Sequence, residues 1–291
     1  MKAKSLLPRS TCTGILAAAQ AIIAVGLWTT GSMAAVAGPT AGTHSSNAET
    51  YYLLVFSNPV AGREDEYNKW YDRQHLADVT SIPGFVSGQR YVFSDSQLRD
   101  AQPPRKYLVI YKIVTDDLAS VYSEVNRRTA KGITVMSPSY DRSTSLNYTY
   151  KVIRPVIKHK GYAPGPPEAG LQTYYQLVFT NPIPGREDEY NKWYDEQHAP
   201  DVVAVPGFVN AQRLAVSDLQ LNPKNTEIKF NYLVMYKIRT NNVASVIATF
   251  KQRSPTMVMS PAFGPSDGYT YKAIGPCVDG DKLRAERAKN K

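Results

Sequence analysis

Apolar positions along this chain follow two rhythms, a period of two and a period near 3.6, and the same succession of rhythms is written twice. Residues 51–57 (YYLLVFS) are rich in β-branched and aromatic side chains and read as a strand. Asn58-Pro59 and Gly62 then mark a turn. Residues 64–75 have helical spacing, with Glu64, Asp65 and Glu66 in the first turn, where the helix dipole favours anions. Pro83-Gly84 punctuates before a strand at 85–93, a polar loop at 97–106 and a strand at 107–114 (YLVIYKIV). Asp116 and Asp117 open a second helix running to about 128, and a fourth strand follows near 146–156. The order returns at 174–180, 187–198, 208–216, 232–238, 243–253 and 269–274.

The two successions are copies. Residues 58–95 recur without a gap at 181–218, 123 positions later, with 25 identities in 38 positions. Met136-Ser137-Pro138 answers Met259-Ser260-Pro261, and Tyr148-Thr149-Tyr150-Lys151 answers Tyr269-Thr270-Tyr271-Lys272. A repeat of this length is one unit written twice. Strand-helix-strand-strand-helix-strand is the ferredoxin-like order, so the expected fold is α+β: two tandem ferredoxin-like units whose antiparallel sheets pack together as a pseudo-dimeric α+β barrel within one chain. Strands such as YLVIYKIV are apolar on both sides, and the second copy supplies cover for the sheet face that the helices leave bare. The expected organisation is a signal peptide at 1–37, a flexible lead-in at 38–48, units at 49–158 and 173–278, a linker at 159–172 and a charged, frayed tail at 279–291.

The leader reading rests on Lys2, Lys4 and Arg9, an apolar run from 14 to 28 and the small-x-small Ala35-Val36-Ala37. It implies a periplasmic or secreted protein with no stable membrane span after cleavage; an uncleaved anchor is the alternative. Cleavage would leave Cys277 alone, with no intrachain disulfide and no cysteine-based metal site. Formal charge is +9, or +6 without the leader, and Lys and Arg are scattered without a dense run, which argues against a nucleic-acid partner.

One helix face concentrates the chemistry. Tyr67, Trp70, Tyr71, Gln74 and His75 fall at i, i+3, i+4, i+7 and i+8, and Tyr190, Trp193, Tyr194, Gln197 and His198 repeat them. Asp72 and Asp195 stand three residues before each histidine, within reach of an imidazole N–H; Asp78 and Asp201 are alternative partners. A histidine beside a carboxylate at an aromatic pocket suits acid–base work. Gln89 and Gln212, with Arg90 and Arg213 on the opposite strand face, add donors for an enolate. A second reading stands beside this one. A histidine in a last helical turn can serve the helix carbonyls, an aromatic stripe can be core, and the arginines can be surface or ion-pair residues. One histidine per unit, with no HxH or HxxxH pair, leaves no metal site.

Residues 191–213, NKWYDEQHAPDVVAVPGFVNAQR, and their partners at 68–90 resemble the WYD-x-x-H and PGF signature of EthD-like proteins of the dimeric α+β barrel superfamily. The resemblance covers both units. It implies a small-molecule enzyme, since the superfamily includes cofactor-free monooxygenases, cyclases, dehydratases, decarboxylases, lactone isomerases and haem enzymes. It makes His75 and His198 the catalytic suspects. This chain departs from the pattern in fusing two units and in carrying an export signal, which argues against a diffusible cytosolic cofactor. The expected function is cofactor-independent, His-assisted proton transfer on a small aromatic or cyclic carbonyl compound. Its catalytic residues would be His75, His198, Asp72 and Asp195. Tyr67, Trp70, Tyr71, Gln89, Tyr190, Trp193, Tyr194 and Gln212 would bind substrate. The alternative is a non-catalytic binding or structural module holding an aromatic or apolar ligand. The protein would be a monomer by intrachain pseudo-dimer, with higher assembly open.

Overall fold

The computed structural model describes residues 47–100, 102–160, 170–223 and 227–289. The leader, most of the lead-in and the centre of the linker lie outside the described residues. The first half contains β1 (Glu49–Ser57), α1 (Glu64–Trp70), α2 (Leu76–Thr80), β2 (Phe85–Phe93), β3 (Tyr107–Thr115), α3 (Leu118–Ala130), β4 (Leu146–Val152) and β5 (Ile157–Lys158). The second contains β6 (Gln172–Pro182), α4 (Glu187–Trp193), α5 (Ala199–Val203), β7 (Phe208–Val216), β8 (Tyr232–Thr240), α6 (Val243–Arg253), β9 (Phe263–Asp279) and α7 (Gly280–Lys289). The fold is mixed α+β, with one large antiparallel sheet and few helices, compatible with a dimeric α/β barrel.

Strand order is β4-β1-β3-β2-β9-β6-β8-β7-β5, and a further pairing of β4 with β7 closes the sheet on itself. The halves therefore meet along two seams. At one, Arg90 lies opposite Ile274 and Phe93 opposite Tyr271; at the other, Tyr150 lies opposite Val216 and Val152 opposite Leu214. The expected contact between sheet faces arises through edge-to-edge closure. Two-residue alternation then sorts each strand between layers. Leu53 and Val55 face the helices, whereas Leu54 and Phe56 face the barrel interior, where they meet Leu177, Phe179, Leu233 and Met235 of the other half. This is why the strands are apolar on both sides.

Local chemistry fixes the remaining boundaries. The Asp117 carboxylate accepts from the Ser120 N–H at 2.9 Å and the Asn242 side chain accepts from the Ser245 N–H at 3.1 Å, capping α3 and α6. Gly84 and Gly207, at φ +91° and +95°, make the turn into β2 and β7, and an added Cβ would fall 2.7 Å and 2.5 Å from Val121 and Val246.

Two expectations change. The helices from 64 and 187 do not end at their histidines but continue to Thr80 and Val203. The tail read as frayed is helical. Arg284 of α7 donates to the carbonyls of Ile82 and Phe85 at 3.1 and 2.9 Å, and Arg287 donates to Ser81 Oγ at 2.9 Å, so cations dock on the carbonyl end of α2.

Candidate functional site

The continuation of each helix past its histidine depends on a widened turn. Residues 71–75 and 194–198 are π-helical, closed by bonds from the Leu76 N–H to the Tyr71 carbonyl and from the Ala199 N–H to the Tyr194 carbonyl. Each spans five residues instead of four, and such single turns recur at functional sites. The extra residue places side chains five apart one above the other. Trp70 and His75 stack with centroids 4.3 Å apart and planes at 28°; Trp193 and His198 stack at 4.5 Å and 24°. Tyr71 and Tyr194 meet the same imidazoles edge-on, at 5.0 and 5.1 Å. Each indole N–H anchors the assembly, Trp70 on the Val135 carbonyl at 2.9 Å and Trp193 on the Val258 carbonyl at 2.8 Å.

The carboxylates expected to orient the histidines do not do so. Arg90 Nη1 donates to Asp72 at 2.5 Å and Arg213 Nη1 donates to Asp195 at 2.6 Å; Asp195 also accepts from Arg154 at 2.6 Å. Both arginines are 1% exposed. Their other donors reach Asn68 Oδ1 at 2.6 Å and Asn191 Oδ1 at 2.8 Å. Each guanidinium also lies over a tyrosine, 4.8 Å from the Tyr71 ring and 4.9 Å from Tyr194. The cause is the pairing capacity of guanidinium. A buried Arg needs a carboxylate and planar acceptors, and takes them from the helix above it.

Gln89 and Gln212, expected to face substrate, bond to backbone at the seams. Gln89 donates to the Ile274 carbonyl at 2.8 Å and Gln212 to the Arg154 carbonyl at 2.6 Å. Tyr67 and Tyr190 are fully buried, with the Tyr67 hydroxyl bonded to Ser57 at 2.7 Å. They pack in the layer between helix and sheet with Trp70, Tyr71 and Trp193.

The structure separates the two histidines. His75 is 8% exposed, and burial pushes its pKa down to about 3, partly offset by the Val135 carbonyl. His198 is less buried and faces a cavity of about 270 Å³. Phe208, Phe250, Met257 and Phe263 form apolar walls, with Tyr194 edge-on to the imidazole and Tyr236 also on the lining. Burial lowers the His198 pKa to about 4, with Asp201 offsetting part of the effect. It is thus neutral near pH 7, and its Nδ1, like that of His75, has no hydrogen-bond partner. The buried Tyr236 hydroxyl is also without a partner: the Tyr194 phenol is near, but the two do not meet hydrogen-bond geometry. Burial raises the pKa of both phenols, so both stay protonated. A neutral imidazole and protonated phenols thus stand among the lining residues of an apolar cavity, a pattern suited to an organic molecule with one or two oxygens.

Sequence reasoning missed two elements. Gln97 bonds in both directions to the Thr270 backbone of the other half, at 2.8 and 2.7 Å, and Gln220 does the same with Thr149, at 3.0 and 2.8 Å. These clasps lay the β2–β3 loop of the first half across the second, placing Leu98 and Arg99 at the His198 cavity. The signal was SDSQL at 94–98 and SDLQL at 217–221, a retained glutamine in loops otherwise read only as polar. The cavity's cross-half wall has no local sequence signature. Among the described residues no group of His, Cys, Asp and Glu could hold a metal, and no helix is long and apolar enough to cross a membrane.

No family model matches the chain, and no curated protein matches it. Among solved structures, an anthrone oxidase-like protein aligns over 80% of this chain and 93% of its own, at 14% identity and a TM-score of 0.46. A monooxygenase candidate from Fusobacterium nucleatum aligns over 81% and 96%, at 7% identity and a TM-score of 0.45. Another from Lactobacillus acidophilus aligns over 80% and 97%, at 10% identity and a TM-score of 0.41.

Proposed function

We propose that the protein binds a small aromatic or cyclic carbonyl compound in the second-half cavity and that His198 handles a proton of that compound. The observation that carries this reading is an apolar cavity lined by His198, Tyr194 and Tyr236, in which the imidazole is neutral and the phenols are protonated. Neutral imidazole accepts a proton from an acidic O–H, or from a C–H beside a carbonyl. The protonated Tyr236 hydroxyl donates to the oxygen where negative charge develops. With its pKa near 4, His198 is a weak base in the empty site. An anion forming against the imidazolium raises that value, so basicity grows as the proton moves. His75, sealed in the first half, has a structural part in this scheme.

The test is binding and turnover of an aromatic panel by the wild type and His198→Ala. Loss of both supports the assignment; unchanged turnover with folding intact removes His198 from the mechanism. Binding without turnover by either protein leaves the second reading, a non-catalytic binding module. That reading draws support from the low pKa of His198 and from an imidazole that no carboxylate orients.

The halves fit a description as tandem ferredoxin-like units at 49–158 and 173–278, because β4-β1-β3-β2 and β9-β6-β8-β7 repeat one strand order. The EthD-like resemblance is consistent with the π-turned WYD-x-x-H helix. Export rests on the leader sequence alone, and the mass of the protein isolated from cells tests cleavage after Ala37.

A further inference from the structure

Resting on the cavity proposed above as a ligand site, we infer that its ligand is an aromatic acid, held by a carboxylate at the mouth while its ring system fills the apolar interior. Arg99 and Lys251 line both the cavity and the hollow that adjoins it, so they mark the passage between the two. Arg99 reaches this place from the other half, and its Nη1 is fixed on Ser266, at 3.1 Å to Oγ and 3.3 Å to the carbonyl. A guanidinium held at one nitrogen still presents planar donors to a carboxylate. The acidic groups nearby do not neutralise the pair at the cavity itself. Asp267 lines the cavity but is paired with Lys229 at 2.9 Å, while Asp95 and Asp100 line only the outer hollow.

The repeat supplies an internal control. In the aligned loops SDSQLRD and SDLQLNP, Arg99 corresponds to Asn222. In the helices that Asp117 and Asn242 cap, Lys251 corresponds to Asn126. Both cations stand at the His198 cavity, Arg99 lent by the first half and Lys251 by the second, and the corresponding positions of the repeat are both asparagines. Charge was thus acquired or kept where a ligand can enter, and a cationic mouth over an apolar interior selects an amphiphilic anion. The complementary ligand puts a carboxylate between Arg99 and Lys251 and an oxygen toward His198 and Tyr236.

The experiment compares hydroxynaphthoate with its methyl ester, which keeps the ring and hydroxyl but loses the charge. Titration calorimetry on the full chain at neutral pH and low salt reads each affinity, for the wild type and for the Arg99→Ala/Lys251→Ala variant. Both substitutions are at exposed positions, so the variant keeps its fold. The acid is expected to bind at least about tenfold more tightly than the ester, with the difference shrinking in salt and vanishing in the variant. Equal binding of acid and ester by the wild type overturns the inference while leaving the cavity reading intact. A preference for the acid that survives in the variant also overturns it. Failure of both compounds to bind overturns the cavity reading and the inference together.

Discussion

The two halves share a helix, a π turn, a buried arginine and a stacked histidine, yet only one of the two histidines is shown to border a cavity. The difference lies in the walls around the imidazole. Thr134 and Tyr140 of the first half stand where Met257 and Phe263 stand in the second, and Leu53 stands where Gln176 does. Tyr140 and Phe263 meet their tryptophans alike, at 5.7 Å and 57° from Trp70 and at 5.6 Å and 60° from Trp193, but Tyr140 also lies parallel to Tyr67, at 6.4 Å and 5°. The motif common to both halves is therefore a folding device first. What gives one copy a cavity is the surrounding wall, including the loop that the other copy lends it.

Breaking the shared device gives the largest effects. Arg213→Ala leaves Asp195 and Asn191 without their buried cation, and denaturant unfolding should show a loss of about 3–5 kcal/mol. Arg90→Ala should cost less, because Asp72 is 48% exposed and water can solvate it, against 17% for Asp195. Equal losses would show that the two networks are energetically the same. Next, His75→Ala removes a stacked, buried ring and should destabilise by about 2–3 kcal/mol without changing ligand affinity. His198→Ala should cost about half that and weaken ligand binding about tenfold. Calorimetric melting and titration of the two variants measure this exchange of roles.

Acid should expose the same contrast. Both histidines have folded pKa values below the unfolded value of about 6.5, at about 3 for His75 and about 4 for His198. Each therefore contributes stability that is complete above about pH 6.5 and is lost as pH falls toward its folded value. His75→Gln should flatten the fall in melting temperature between pH 6 and pH 4 more than His198→Gln does. The clasps should act on a scale similar to His198. Gln97→Ala and Gln220→Ala should each cost about 1–2 kcal/mol, and only Gln97→Ala should also weaken ligand binding, because its loop carries Arg99.

Much of this was legible in the sequence. Period-two runs marked the strands, acidic first turns the helix starts, and the repeat paired the halves. The π turns escaped because no composition distinguishes YDRQH or YDEQH from an ordinary helical turn, so both helices were read as ending at their histidines. The roles of Asp72 and Asp195 escaped for another reason. Sequence distance favours a carboxylate three residues from a histidine, but Arg90 and Arg213 arrive from a strand eighteen residues on and, once buried, must be paired. Both arginines had been kept in both copies, which was the available signal. Arg99 is the hardest case, since its importance exists only once the loop of one half is laid over the other.

The two seams that close the barrel have a consequence for assembly. A pair of separate chains joined by β2–β9 and β4–β7 type contacts would fall apart on dilution, as its association is bimolecular. Here both contacts are intramolecular, and the tether holds one half near the other at an effective concentration that does not depend on how much protein is present. Assembly of the cross-half cavity wall should therefore be as complete in a nanomolar solution as in a concentrated one.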